Sequence, residues 1–231
     1  LNHPGKGGDV TAPNRDSYRL AFLLVVPLAW AVLLMFHPAP NPDDIYGSLR
    51  EESTTWLIVH FGTLLFIGLM GAAVFVLVRD LSGSAAQVSR VAAGAYVLFY
   101  GAGEAILGIA TGVLVQHTNA APENERAAAT AAIQALWEDM LSADVAATIG
   151  AVAWVVAILA AAIALRPTGA PLAVSLVLAV SAIAALHGPP IGPVGLLFFA
   201  AAVVLFARSD AWRGPSRQPP PAVDDIPGEA L

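Results

Sequence analysis

The chain has 231 residues, 57% hydrophobic and only 12% charged, with a net charge of −6 and a mean hydropathy of +0.70. Soluble domains carry about 25% charged residues, so this composition excludes an ordinary soluble domain and points to a polytopic membrane protein. There is no cysteine, which excludes disulfides, thiolate zinc sites and cysteine-ligated iron–sulfur clusters, and no basic stripe of the kind that binds nucleic acid.

Residues 1–17 are rich in Gly, Pro, Asn and Asp and read as a flexible N-terminal tail. A first span covers 18–36, with Pro27 inside it as an expected kink. Its exit, His37-Pro-Ala-Pro-Asn-Pro, lacks a small-x-small cleavage site, so it reads as a retained helix rather than a signal peptide. The second span covers 55–78, with Trp56 placed as an interfacial anchor. The third covers 88–116. Between 118 and 143, Ala121-Pro122-Glu123 reads as a helix start. Ile133, Leu136, Trp137, Met140 and Leu141 then recur at helical spacing, which predicts an amphipathic outer segment or an extension of the fourth span. The fourth span is 145–165, with Asp144 as its N-cap. The fifth is 170–186 and the sixth 191–207. Residues 209–231 read as a disordered, Pro-rich, acidic C-terminal tail.

The fold expected is an all-α integral membrane protein, a six-transmembrane-helix bundle over 18–208. Six spans put both termini on one side. That side then holds Lys6, Arg15, Arg19, Arg79, Arg90, Arg166, Arg208, Arg213 and Arg217, against Arg50 and Arg126 on the other. The positive-inside rule makes the first side cytoplasmic, in a multi-pass cell-membrane protein. No internal repeat is visible, so an inverted-repeat transporter is not indicated.

This topology sorts the ionisable residues. His37, His60, His117 and His187 all fall on the outer side, together with most acids of the connecting segments. Imidazoles and carboxylates suit a divalent metal such as zinc, copper, nickel or iron, so His37, His60, His117 and His187 are candidate ligands. The plain alternative is that histidines are common at helix ends. No HxxxH or HExxH motif is present. Glu52, Trp56 and His60 recur every four residues, close to one helix face.

Glu104 is the sharper signal. It lies 14 residues from Arg90 and 13 from His117, about 20 Å from each at helical rise, which predicts a midplane position. An ionisable group at membrane depth costs from about 2.5 kcal/mol upward, so it faces a protein interior or a wet cavity. Gly94, Gly101 and Gly108 repeat at seven, and Gly108 and Gly112 form a small-x-x-x-small pair, which together predict a packed face. No Lys or Arg falls at that depth, so its available partners are Tyr96, Tyr100, Thr63, Ser175, Ser181 and His60, and Glu104, His60 and Tyr100 are the candidate ion- or proton-binding residues. The alternative is a structural hydrogen bond between helices.

Three functions stay open on this reading. One is a small transporter or channel-like protein using Glu104 beneath an outward-facing His and acid vestibule. A second is a membrane metal- or haem-binding protein, enzyme or redox, built on the outer histidines; a haem would need two imidazoles at one depth. The third is an accessory subunit of a larger membrane complex or homo-oligomer. Walker and Ser-His-Asp patterns are absent and no span carries a lysine, which argues against ATP hydrolysis, a serine hydrolase and a retinal Schiff base. The partner that composition implies directly is the lipid bilayer.

Overall fold

The computed structural model describes residues 15–138 and 143–213, and their regular structure is helical. The predicted N-terminal tail up to Asn14, Met140 and Leu141, and the C-terminal tail from Gly214 lie outside the described residues. Helix α1 spans Arg15–Leu34, α2 Ile45–Leu49, α3 Ser53–Val78 and α4 Ser84–Gly103. A π-helical segment, Glu104–Ala110, leads without a break into α5, Thr111–Ala120. Helix α6 spans Glu123–Glu138, α7 Ala143–Leu165, and α8 Leu172–Val180 with a 3-10 extension over Ser181–Ala185. Helix α9 spans Ile191–Ala207 and a last turn, α10, covers Asp210–Arg213.

Four helical runs are long and apolar enough to cross a membrane: Arg15–Leu34, Ser53–Val78, Ser84–Ala120 and Asp144–Thr168. The expected fifth and sixth spans are shorter, Leu172–Ala185 and Ile191–Ala207. At 1.5 Å per residue, the 17 residues of α9 reach about 25 Å against a hydrocarbon layer of roughly 30 Å. Asp144 stands inside the first turn of α7, behind Ala143, rather than at its N-cap.

Helix packing in lipid gains little from hydrophobic transfer, so close van der Waals contact carries it. The closest pair is α4 with α7. A Cβ on Gly150 would lie 2.4 Å from the Tyr100 backbone nitrogen, and one on Gly103 would lie 2.8 Å from the Ala147 Cβ. The expected single glycine face does not hold as drawn. Gly94 has nothing within 4 Å, whereas Gly101 and Gly108 face Leu64 and His60 of α3. Trp30, Tyr96, Trp154 and Phe199 fill the centre of the bundle.

The two ends of the bundle differ in chemistry. At the arginine end, Arg19 donates to the Val76 and Leu77 carbonyls and to Asp80, and Arg90 donates to the Val78 carbonyl. These donors satisfy carbonyls that the end of α3 leaves without helical partners. The Trp212 ring of α10 lies 4.5 Å from the Arg19 guanidinium, so the first residues of the expected tail over 209–231 form a helical turn against the bundle. At the opposite, histidine end, α2 and α6 close the bundle around Ile45, Leu49, Trp56, Val115 and Ile133. Gln134 pins α6 there by accepting from the Ile45 amide and donating to the Pro42 carbonyl. The amphipathic segment is thus a packed cap with its own small core.

Candidate functional site

His60 lies on α3, seven residues from its first residue, or about 10 Å into the bundle. Glu104 opens the π-helical segment and meets it there, His60 Nδ1 to Glu104 Oε1 at 2.5 Å, with both side chains 4% exposed or less. Glu104 is central within the run Ser84–Ala120, but against α3 it stands nearer the histidine end. The run of 37 residues is longer than a hydrocarbon layer of roughly 30 Å is thick, so its own midpoint does not by itself fix a membrane depth.

The π-helical segment sets the contact. π-turns widen the helix locally and recur at functional sites. Here the segment brings Gly108 against the imidazole: a Cβ on Gly108 would lie 2.2 Å from His60 Nδ1. Trp56 is buried rather than interfacial. Its indole Nε1 donates to the Gly108 carbonyl at 2.7 Å, and its ring lies 4.1 Å from His60 centroid to centroid.

Two more histidines reach the same point from connecting segments. His37 follows α1, and its ring lies 4.9 Å from His60 and 5.3 Å from His187. His187 follows the 3-10 turn, 6.4 Å from His60. Tyr100, one turn before Glu104, hydrogen-bonds to His187 Nδ1 at 2.6 Å and donates to the Ala185 carbonyl at 3.0 Å. Together with Pro40, Leu107, Trp137 and Gly188 these residues line a cavity of about 240 Å³. Of the residues expected to carry chemistry, the fold gathers Glu104, His60, Tyr100, His37 and His187 in one pocket. His117 is exposed on α5 and takes no part in lining it. Trp137 was expected on the apolar face of α6; it lines the pocket and donates to Thr111 Oγ1 at 2.9 Å. Its role at the pocket has no signal in the sequence.

The hydrogen bonds fix the tautomers. His37 Nδ1 faces the Pro38 carbonyl at 2.6 Å and so must donate. His60 Nδ1 faces a carboxylate and donates to it. The Tyr100 hydroxyl spends its hydrogen on Ala185, so His187 Nδ1 donates to the phenol oxygen. Each imidazole therefore has Nδ1 anchored on an oxygen. Among the described residues, His37 Nε2 and His60 Nε2 are buried and without a hydrogen-bond partner. Burial, then the neighbouring His60 and His187, push the His37 imidazole down to about 4. Burial likewise lowers His187. At neutral pH both rings are neutral and their lone pairs are available.

A comparison with protein-family models, curated proteins and solved structures finds no match.

Chemistry must therefore be read from the donors themselves. Imidazoles sharing one tetrahedral ion at a metal–nitrogen distance of about 2.0–2.1 Å have ring centroids a little over 5 Å apart. The His37–His60 and His37–His187 separations match this, and the His60–His187 edge is wide by about 1 Å. No three His, Asp or Glu side chains among the described residues already stand in a metal-holding arrangement. The centroid spacing alone fits a shared ion along two of the three edges, and the three rings do not stand ready to hold one. The cavity falls below the roughly 300 Å³ at which small-molecule pockets begin, which leaves no room for a haem.

Proposed function

We propose that this chain is a membrane protein with a transition-metal site of three imidazoles, His37, His60 and His187, held through Nε2. The observation that carries it is the three-fold anchoring of Nδ1, with two of the Nε2 atoms buried and orphaned. Metal-ligating histidines donate their other ring nitrogen to a carboxylate, carbonyl or similar acceptor, which fixes the ring and raises its basicity. Glu104, Tyr100 and the Pro38 carbonyl supply that support here. A buried polar group without a partner in a folded protein calls for a water or an ion. Imidazole nitrogens suit zinc, copper, nickel or iron, and such an ion would supply Lewis-acid or redox chemistry at the pocket.

The carrier reading of Glu104 is less well supported. The pocket is lined by Tyr100 but not by Tyr96 or Trp154, which belong to the hydrophobic core, and it shares no residue with the cavity at the arginine end. A blind pocket favours binding or chemistry at one face over passage through the bundle. In this reading all six apolar helices cross the bilayer, the arginine end faces the cytoplasm with both termini, and the histidine end faces outward. The nine-to-two division of basic residues supports that orientation.

Cobalt(II) titration of the metal-free, detergent-solubilised protein tests the site. The expected result is one equivalent of cobalt with strong visible d–d bands of tetrahedral type, weakened by His37→Gln or His187→Gln. A spectrum that stays that of aqueous, octahedral cobalt, with no zinc or copper retained by the purified protein, overturns the proposal.

A further inference from the structure

A second cavity of about 520 Å³ lies beside the first and shares four residues with it, Tyr100, Ala147, His187 and Gly188. The His187–Tyr100 pair thus stands between the two spaces. The outer rim of the second cavity is formed by Thr148 and Ala151 on α7 and by Leu186, Pro189 and Ile191 opposite. Leu186 is 62% exposed and Ile191 45% exposed. Ala151 is eight residues into α7, about 12 Å from its first residue, deep enough to pass the headgroup layer. In the six-span reading this groove opens sideways, onto the surface that the bilayer would cover, rather than along the bundle axis.

We infer that the pocket receives the head of a membrane-dissolved amphiphile that enters through this lateral groove and has a neutral, oxygen-bearing head on a long apolar chain. Both the head and the route are read from the metal-free pocket and the groove, and neither needs the metal proposed above. Size assigns the two parts. The inner cavity is below the usual range for a whole small molecule, so it takes the head, and the chain stays in the groove. Charge assigns the head. Among the described residues no Lys or Arg lines either cavity, and the one carboxylate, Glu104, is taken by His60. In the metal-free chain a phosphate would be buried there without a cation, at a cost of several kcal/mol. A hydroxyl instead finds the Tyr100–His187 pair and can donate to the unpartnered Nε2 of His37.

The test uses a photoactivatable long-chain alcohol, a hexadecanol carrying a diazirine near the hydroxyl, on the metal-free full chain in lipid nanodiscs. Peptide mapping is expected to place crosslinks within 147–151 and 185–191, with the matching hexadecyl phosphate labelling these segments far less. Thr148→Trp, at the exposed rim, is expected to weaken alcohol labelling about tenfold, corresponding to about 1.4 kcal/mol. Val91→Trp, on an exposed face of α4, should leave it unchanged. Labelling spread evenly over lipid-facing helices, equal labelling by the phosphate, or indifference to Thr148→Trp each overturns the inference. The cobalt spectrum of Thr148→Trp separates the two proposals. An intact spectrum with lost labelling supports both. Labelling at the groove in a chain that binds no cobalt keeps the route and removes the metal.

Discussion

At the scale of single residues, the site depends on what each Nδ1 donates to. Glu104→Gln keeps the size of the side chain and an acceptor oxygen but removes the negative charge. Losing such a supporting carboxylate costs about 10–100-fold in metal affinity, and that is the expected loss in a cobalt or zinc titration of Glu104→Gln. The metal-free protein should also respond to pH through His37. Its folded value of about 4 lies below the ordinary 6.5, so the unfolded chain takes up the proton first. Stability is complete above pH 6.5 and falls as pH drops from 6.5 toward 4, with His187 adding in the same direction. Thermal unfolding across that window should show the slope, and His37→Phe should flatten it. The sequence exposed Glu104 and His60 as buried polar residues, because an ionisable group inside an apolar run stands out at once. Trp137 and the exclusion of His117 were not legible. Both depend on which way a helix turns near its end, and the local spacing of apolar residues around His117 does not decide that.

At the scale of elements, the π-helical segment and the glycines beside it decide whether α3 and α4 bring their side chains together. The sequence predicts a continuous helix through Glu104, and a continuous run is found. The π-turn is not readable from spacing, since one extra residue in a turn leaves the composition unchanged. Its effect is to seat Gly108 on His60. Gly108→Ala places a methyl 2.2 Å from His60 Nδ1, closer than real contacts allow. Overpacking of this kind costs about 1–3 kcal/mol, and here the neighbour that must move is a proposed ligand. Gly108→Ala should therefore lower both the thermal midpoint and cobalt affinity. Gly94→Ala, with nothing within 4 Å, should change neither. If the two variants behave alike, the glycines act through helix propensity and not through the contact with His60. Boundaries of α3, α7 and α9 were readable to within about two residues, because each is a long apolar run closed by a charge or a proline. The cap made by α2 and α6 was only half readable, since its core joins residues as distant as Ile45 and Ile133.

At the scale of the whole molecule, the sorting of charge is the strongest link between sequence and orientation. Arg19 and Arg90 are tied by hydrogen bonds to the end of α3, so these two basic residues are built into one end of the fold. The last two apolar helices are the weak point, because each is shorter than the hydrocarbon layer is thick. A short helix crosses only if the bilayer thins or its flanking residues reach outward. If the hairpin of α8 and α9 crosses fully, its connecting segment at Gly188 shares a side with Glu51, and both oppose Ser82. The chain lacks cysteine, so single substitutions report without background. Glu51→Cys and Gly188→Cys should react with a membrane-impermeant maleimide in intact cells, and Ser82→Cys only after lysis. Labelling of Ser82→Cys in intact cells, with Glu51→Cys and Gly188→Cys protected, would invert the molecule and turn the imidazole pocket toward the cytoplasm. Labelling of Glu51→Cys without Gly188→Cys would mean that the last hairpin enters the bilayer without crossing it. His187 would then be sealed from solvent, and the lateral groove would be the sole approach to it.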